Sequence, residues 1–116
     1  MASPLVDGSS AVWLGLLEAC PVVAGAIVSK PLLSRAEGRV VVFAMDAGQE
    51  IGEHRAPFMT TVQVLDGRLE FAVGSERRTM GAHDWLVMPT NAAHSLRALE
   101  ASRFVLTFFR APSGGS

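Results

Sequence analysis

The feature that most constrains this chain is a regular beat of short β-branched and aromatic runs, each closed by turn residues. The runs are Ala26–Leu33, Arg39–Met45, Thr60–Leu65, Arg68–Val73, Glu76–Met80, Trp85–Met88, His94–Leu99 and Arg103–Phe109. Turn signals every eight to twelve residues or so mark a sandwich or a barrel. Arg39–Met45 (RVVVFAM) is unbroken and β-branched, which predicts a strand covered on both faces. Arg68–Val73 alternates: Leu69, Phe71 and Val73 face one way, Arg68, Glu70 and Ala72 the other. Asp66-Gly67, lying between two strand-like runs, predicts a hairpin, and Gly74-Ser75 predicts the next turn.

The 116 residues suffice for one domain with a true core. The reading divides them into an N-terminal segment, 1–24, a barrel, 25–111, and a loose tail, 112–116. Residues 1–10 are small and polar and are expected to fray. Ser10 is placed to cap a short helix with Val12, Trp13, Leu16, Leu17 and Cys20 on one face, stopped by Pro21.

Composition excludes several classes of function. Ten basic and eleven acidic residues leave a net charge of −1, with no field of one sign for a nucleic-acid backbone. The basic residues are scattered in sequence, and the one adjacent pair, Arg77-Arg78, reads as a solvated hairpin edge. A single cysteine, Cys20, excludes an intramolecular disulfide and a cysteine-rich metal site, and reads as a small buried apolar side chain. The apolar stretch from Val12 to Leu33 is interrupted by Gly15, Glu18, Pro21, Gly25, Lys30 and Pro31, so it makes a poor membrane span. With no basic segment ahead of a signal-type apolar run, the protein is expected to be cytoplasmic.

The three histidines are His54, His83 and His94. Gly48 is followed after five residues by His54, and Gly67 closes the same stretch. Pro89 precedes His94 at the spacing Pro-x-x-x-x-His. In order and spacing, from about Val28 to Phe109, these residues resemble the two motifs of the cupins, and in particular a subgroup of small bacterial cupins. The resemblance implies an all-β, RmlC-like jelly-roll barrel with a short N-terminal helix or arm. It also implies a metal site carried by His54 and His94. The chain departs from the family's pattern at two ligand positions, where Ala56 replaces the second histidine and Thr60 the glutamate. His83 and Asn91 stand at glycine positions of the second motif, and Ala98 at its final asparagine. Asn and His tolerate positive φ well, so those two changes keep the turns.

Two imidazoles suit a divalent ion such as Zn, Ni, Fe or Mn but leave half its shell to water or substrate. Gln63 is the candidate third ligand. Strand parity places it opposite Thr60, Val62 and Val64, and a bulge would reverse that. The pocket is expected to be apolar, with Phe58, Thr60, Val62 and Met88 as substrate-contacting residues. Phe43 and Met45, or Val42 and Ala44, would add to its wall according to register, and Phe104 is a further candidate. His83, beside Asp84, is expected in an exposed turn, and Glu53 on the surface.

Three functions follow. The first is a metal-binding small cupin acting on a small organic molecule as an isomerase, lyase or dioxygenase. The second is a non-catalytic binding or sensor cupin with a degenerate metal site, and the third a purely structural dimerisation domain. The apolar arm Val22–Leu33 suggests a homodimer, since in the small cupins the chain resembles such an arm packs on the partner's sheet; the alternative is an arm closed over its own barrel.

Overall fold

The computed structural model describes residues 3–110. A single helical turn, α1 (Leu16–Ala19), precedes the strands β1 (Ile27–Ser34), β2 (Gly38–Met45), β3 (Glu50–Arg55), β4 (Met59–Asp66), β5 (Arg68–Val73), β6 (Glu76–Gly81), β7 (Trp85–Met88), β8 (Ala93–Ala98) and β9 (Ser102–Phe109). They form a five-stranded sheet, β1-β2-β9-β4-β7, and a four-stranded sheet, β3-β8-β5-β6. Every pairing is antiparallel. Tail residues 112–116 lie outside the described residues. No helix among the described residues is long and apolar enough to cross a membrane.

The core lies between the sheets. Met45, Val62, Val64, Met88 and Phe104 from the five-stranded sheet meet Leu69, Phe71, Met80, Leu96 and Ala98 from the other. Burying each large apolar side chain contributes about 1.5–3 kcal/mol. β2 is covered on both faces, as its unbroken apolar run predicts. Phe43 and Met45 join the inner core, while Val42 and Ala44 pack outward against Cys20, Leu16 and Val22. Burial raises the Cys20 thiol pKa, in keeping with a packing role rather than a nucleophilic one.

Asp66-Gly67 is not a hairpin turn. β4 and β5 belong to different sheets, so these residues carry the chain across the barrel. The local signal is right about a sharp bend at Gly67 but cannot say which strand each neighbour pairs with. Gly67 has φ +83°, and an added Cβ would sit 2.6 Å from Ser102 Cα and closer still to Ser102 Oγ and the Ala101 carbonyl. The buried Ser102 hydroxyl accepts from Arg68 N (2.9 Å) and lies within reach of the Glu100 (2.8 Å) and Arg68 (3.1 Å) carbonyls. Arg103 locks the same corner, holding Asp66 at 2.6 Å and donating to the Leu17 carbonyl at 3.0 Å. Gly74-Ser75, in contrast, does close a two-residue hairpin, with Val73 opposite Glu76.

The N-terminal segment differs from expectation. Ser10 caps nothing, and Gly15 occupies the N-cap of a helix four residues long. Gly15 and the shortness of the segment disfavour a longer helix, and Trp13 is left 89% exposed. Residues 3–10 are not wholly frayed either: Leu5 and Val6 donate backbone hydrogen bonds to the carbonyls of Pro31 and Leu32 on β1 (3.0 and 2.9 Å). Within the stretch Val22–Leu33, the β1 residues pair with the chain's own β2.

Candidate functional site

β3 and β8 bring the two motif histidines together. His54 stands opposite His94 in register, with ring centroids 4.0 Å apart and planes inclined by 60°. Regular alternation would place Ile51 and His54 on opposite faces of β3. A bulge between them removes one step of the pleat, so both side chains line the same cavity. The cavity measures about 130 Å³ and is otherwise apolar, walled by Phe43, Phe71, Leu96, Phe104 and Leu106. Phe43 and Phe104 stack with centroids 5.1 Å apart, and Phe71 lies nearly parallel to His94 at 6.4 Å.

Each imidazole is anchored the same way. His54 Nδ1 lies 2.9 Å from the Gly52 carbonyl and His94 Nδ1 3.0 Å from the Ala92 carbonyl. A carbonyl oxygen only accepts, so Nδ1 carries the hydrogen and Nε2 holds a lone pair in each neutral ring. Two such nitrogens cannot bond each other. Each can accept from a shared donor or ligate a cation, and among the described residues no buried side-chain nitrogen or oxygen is left without a partner, so solvent reaches them.

His94 is 6% exposed. Burial is the main cause that lowers its pKa; the hydrogen bond to Ala92 opposes this, and the neighbouring His54 adds to the lowering. The unfolded chain therefore binds a proton at His94 more readily than the folded one. The stability that this site contributes is fully present above the ordinary histidine value of 6.5 and is lost as pH falls below it through the folded value. Urea midpoints measured across this range are expected to fall more steeply for the wild type than for His94→Phe. Parallel curves would contradict the assignment.

The other sequence-predicted site residues are dispersed. Thr60, Val62 and Met88 point inward but are fully buried in the core, with Thr60 Oγ1 bonded to the Phe58 carbonyl at 3.1 Å. Phe58 lies at the barrel mouth, outside the histidine cavity. Gln63 is exposed on the outer face of β4, opposite Trp85 and Val105, so β4 keeps its parity here and Gln63 does not reach the histidines. His83 and Asn91 adopt positive φ (74° and 64°), as their places at glycine positions predict, and His83 is exposed. Sequence reasoning missed Ile51, Phe71, Leu96 and Leu106 as cavity walls. It also missed three arginines, Arg39, Arg55 and Arg110, which come from β2, β3 and the end of β9 to one pocket. The alternating pattern of β5 offered Phe71; the bulge that admits Ile51 left no local signal.

No group of three or more His, Cys, Asp or Glu side chains able to hold a metal occurs among the described residues. The site thus has two donor side chains on adjacent antiparallel strands, each held by a backbone carbonyl at an apolar cavity, with His94 buried and His54 exposed at its edge. Residues 41–109 match the sequence model of the cupin domain.

The chain belongs to the cupin family.

Solved structures agree on the fold. This cupin superposes on a conserved Streptococcus pyogenes protein of unknown function with a TM-score of 0.84 and 28% identity, covering 97% of this chain and 98% of that one. A cupin superfamily protein from Desulfitobacterium hafniense gives 0.82 at 14% identity, over 93% and 99% of the two chains. An RmlC-like cupin from Desulfovibrio desulfuricans gives 0.77 at 24% identity, over 86% and 97%. No curated protein matches the sequence.

Proposed function

We propose that this cupin binds a small, single-ring organic molecule in its barrel, using His54 and His94 as acceptors and no resident metal ion. The observation that carries this reading is the pair of anchored imidazoles with unengaged Nε2 atoms in an otherwise apolar cavity of about 130 Å³. An apolar cavity of about 150 Å³ admits benzene, so the space suits one ring, and a hydroxyl on that ring would supply the donor that Nε2 needs. A few convergent polar groups in an apolar pocket are the ordinary pattern of small-molecule sites.

The donor set does not fit a resident divalent ion. Tight sites use three or four protein ligands, whereas here the motif's other two positions are Ala56 and Thr60, and Gln63 faces away. A metal-dependent isomerase, lyase or dioxygenase is the second reading. It draws on the Nδ1-to-carbonyl anchoring, which is also how metal-bound histidines are oriented.

Phenol is the probe that separates the two readings. In EDTA, saturating phenol is expected to raise the melting temperature of the wild type by several degrees and that of His54→Ala or His94→Ala by much less. A shift that vanishes with EDTA would favour the metal-dependent reading. Equal shifts in all three proteins would remove the histidines from the site.

The partner this reading proposes is a second copy of the chain. Met59, Trp85, Val87 and Phe109 are exposed on the outer face of the five-stranded sheet, with uncharged Thr61, Gln63 and Thr107 among them in register. This patch, on the β4, β7 and β9 part of the face and away from Lys30 on β1, offers no like charge to repel its own copy in a twofold contact. Native mass spectrometry is expected to show a dimer, and Trp85→Lys a monomer; a wild-type monomer at micromolar concentration would contradict it.

A further inference from the structure

The inner face of the five-stranded sheet rises from the histidine cavity in tiers. Phe43 is in register with Phe104, Val41 with Leu106, and Arg39 with Phe108. The first two tiers contribute Phe43, Phe104 and Leu106 to the histidine cavity. The third opens into a separate pocket of about 230 Å³ at the barrel mouth, where Arg39 and Phe108 meet Arg55, Phe58 and Arg110.

This pocket has an unusual charge. Three arginines line it and no acidic residue does. Among the described residues none of the three forms an ion pair, nor does Arg68 on β5, whereas Arg35, Arg77, Arg78, Arg97 and Arg103 each have an acidic partner. Two of the guanidinium groups are pinned from behind. Arg55 Nη1 donates to the Asn91 carbonyl at 2.8 Å, and Arg110 Nη1 to the Arg35 carbonyl at 2.7 Å. A guanidinium has five N–H donors, so each keeps most of its fork free. Phe58 and Phe108 meet edge to face at 6.4 Å, and Arg110 lies over the Phe58 ring at 6.0 Å. Gathering like charges costs free energy that a bound anion would recover, and guanidinium forks match carboxylates in geometry.

We propose that the mouth pocket is an anion-recognition site for the carboxylate of a small aromatic acid, with the ring against Phe58 and Phe108 and the carboxylate on Arg39, Arg55 and Arg110. It extends the reading of the barrel as a small-molecule pocket by naming the ligand class as anionic. It does not depend on how the histidines act.

Isothermal titration with benzoate, benzamide and inorganic phosphate tests it. Benzoate is expected to bind, benzamide to bind at least tenfold more weakly, and phosphate more weakly than benzoate for want of a ring. Arg39→Gln and Arg110→Gln are each expected to weaken benzoate by about tenfold to a hundredfold. Arg39→Lys, which keeps the charge without the fork, should fall between. Added salt should weaken benzoate more than it weakens phenol.

Phenol titrated into Arg39→Gln keeps the two claims apart. Retained phenol binding with lost benzoate binding supports the mouth site. If the wild type ignores phenol while benzoate still follows the arginines, the cavity reading falls and the mouth site stands. Benzoate affinity unchanged in the arginine variants, or no benzoate binding at millimolar concentration, would overturn the proposal. Phosphate binding as tight as benzoate would overturn its aromatic part.

Discussion

Phe104→Ala is expected to destabilise the barrel by about 3–5 kcal/mol. The ring is 1% exposed, stacks on Phe43 and stands opposite Val64 on the neighbouring strand. Truncation removes its transfer energy and leaves a void that strands fixed by neighbours on both sides cannot collapse to fill. Domains of this size have total stabilities of about 5–15 kcal/mol, so the loss is a large share. Equilibrium urea unfolding should show a lower midpoint with an unchanged slope. A change below about 1 kcal/mol would mean that Phe104 is not packed as described. Phe104 also walls the histidine cavity, so the surviving fold should accept probes larger than phenol.

Gly67→Ala is expected to cost about 2–5 kcal/mol, from about 1–2 for a side chain in the left-handed region and about 1–3 for overpacking. The overpacking arises because the new methyl meets Ser102 and the Ala101 carbonyl where the chain passes between sheets. Gly74 provides the internal comparison. Its φ is +58°, but an added Cβ there meets nothing within 4 Å, so Gly74→Ala should show only the conformational part. Equal midpoints for the two variants would contradict the account of the crossing.

How far the sequence could be read depended on whether the deciding interaction was local. β2 declared its two-sided burial through an unbroken β-branched run, and β5 its inner face through strict alternation. His83 and Asn91 declared positive φ by standing where the motif has glycine. Pairing is not local. Asp66-Gly67 looks like a hairpin because the dipeptide favours a sharp bend, while the partners of β4 and β5 are set by residues elsewhere in the chain. The bulge before His54 is equally silent, because the extra residue is defined only against β8. Arg39, Arg55 and Arg110 look scattered in sequence for the same reason: three strand ends converge at the barrel mouth. The helix expected from Ser10 failed on local grounds, since its apolar stripe is short and Gly15 sits within it.

The account turns on His54 and His94 serving a ligand rather than holding a resident metal ion. Metal content measured by mass spectrometry on tag-free protein, after incubation with Zn, Ni, Fe or Mn and removal of the excess, tests this most directly. The account predicts metal well below one equivalent and little changed in His54→Ala or His94→Ala. Close to one equivalent in the wild type, lost in both variants, would contradict it and make the pair the core of a metal centre.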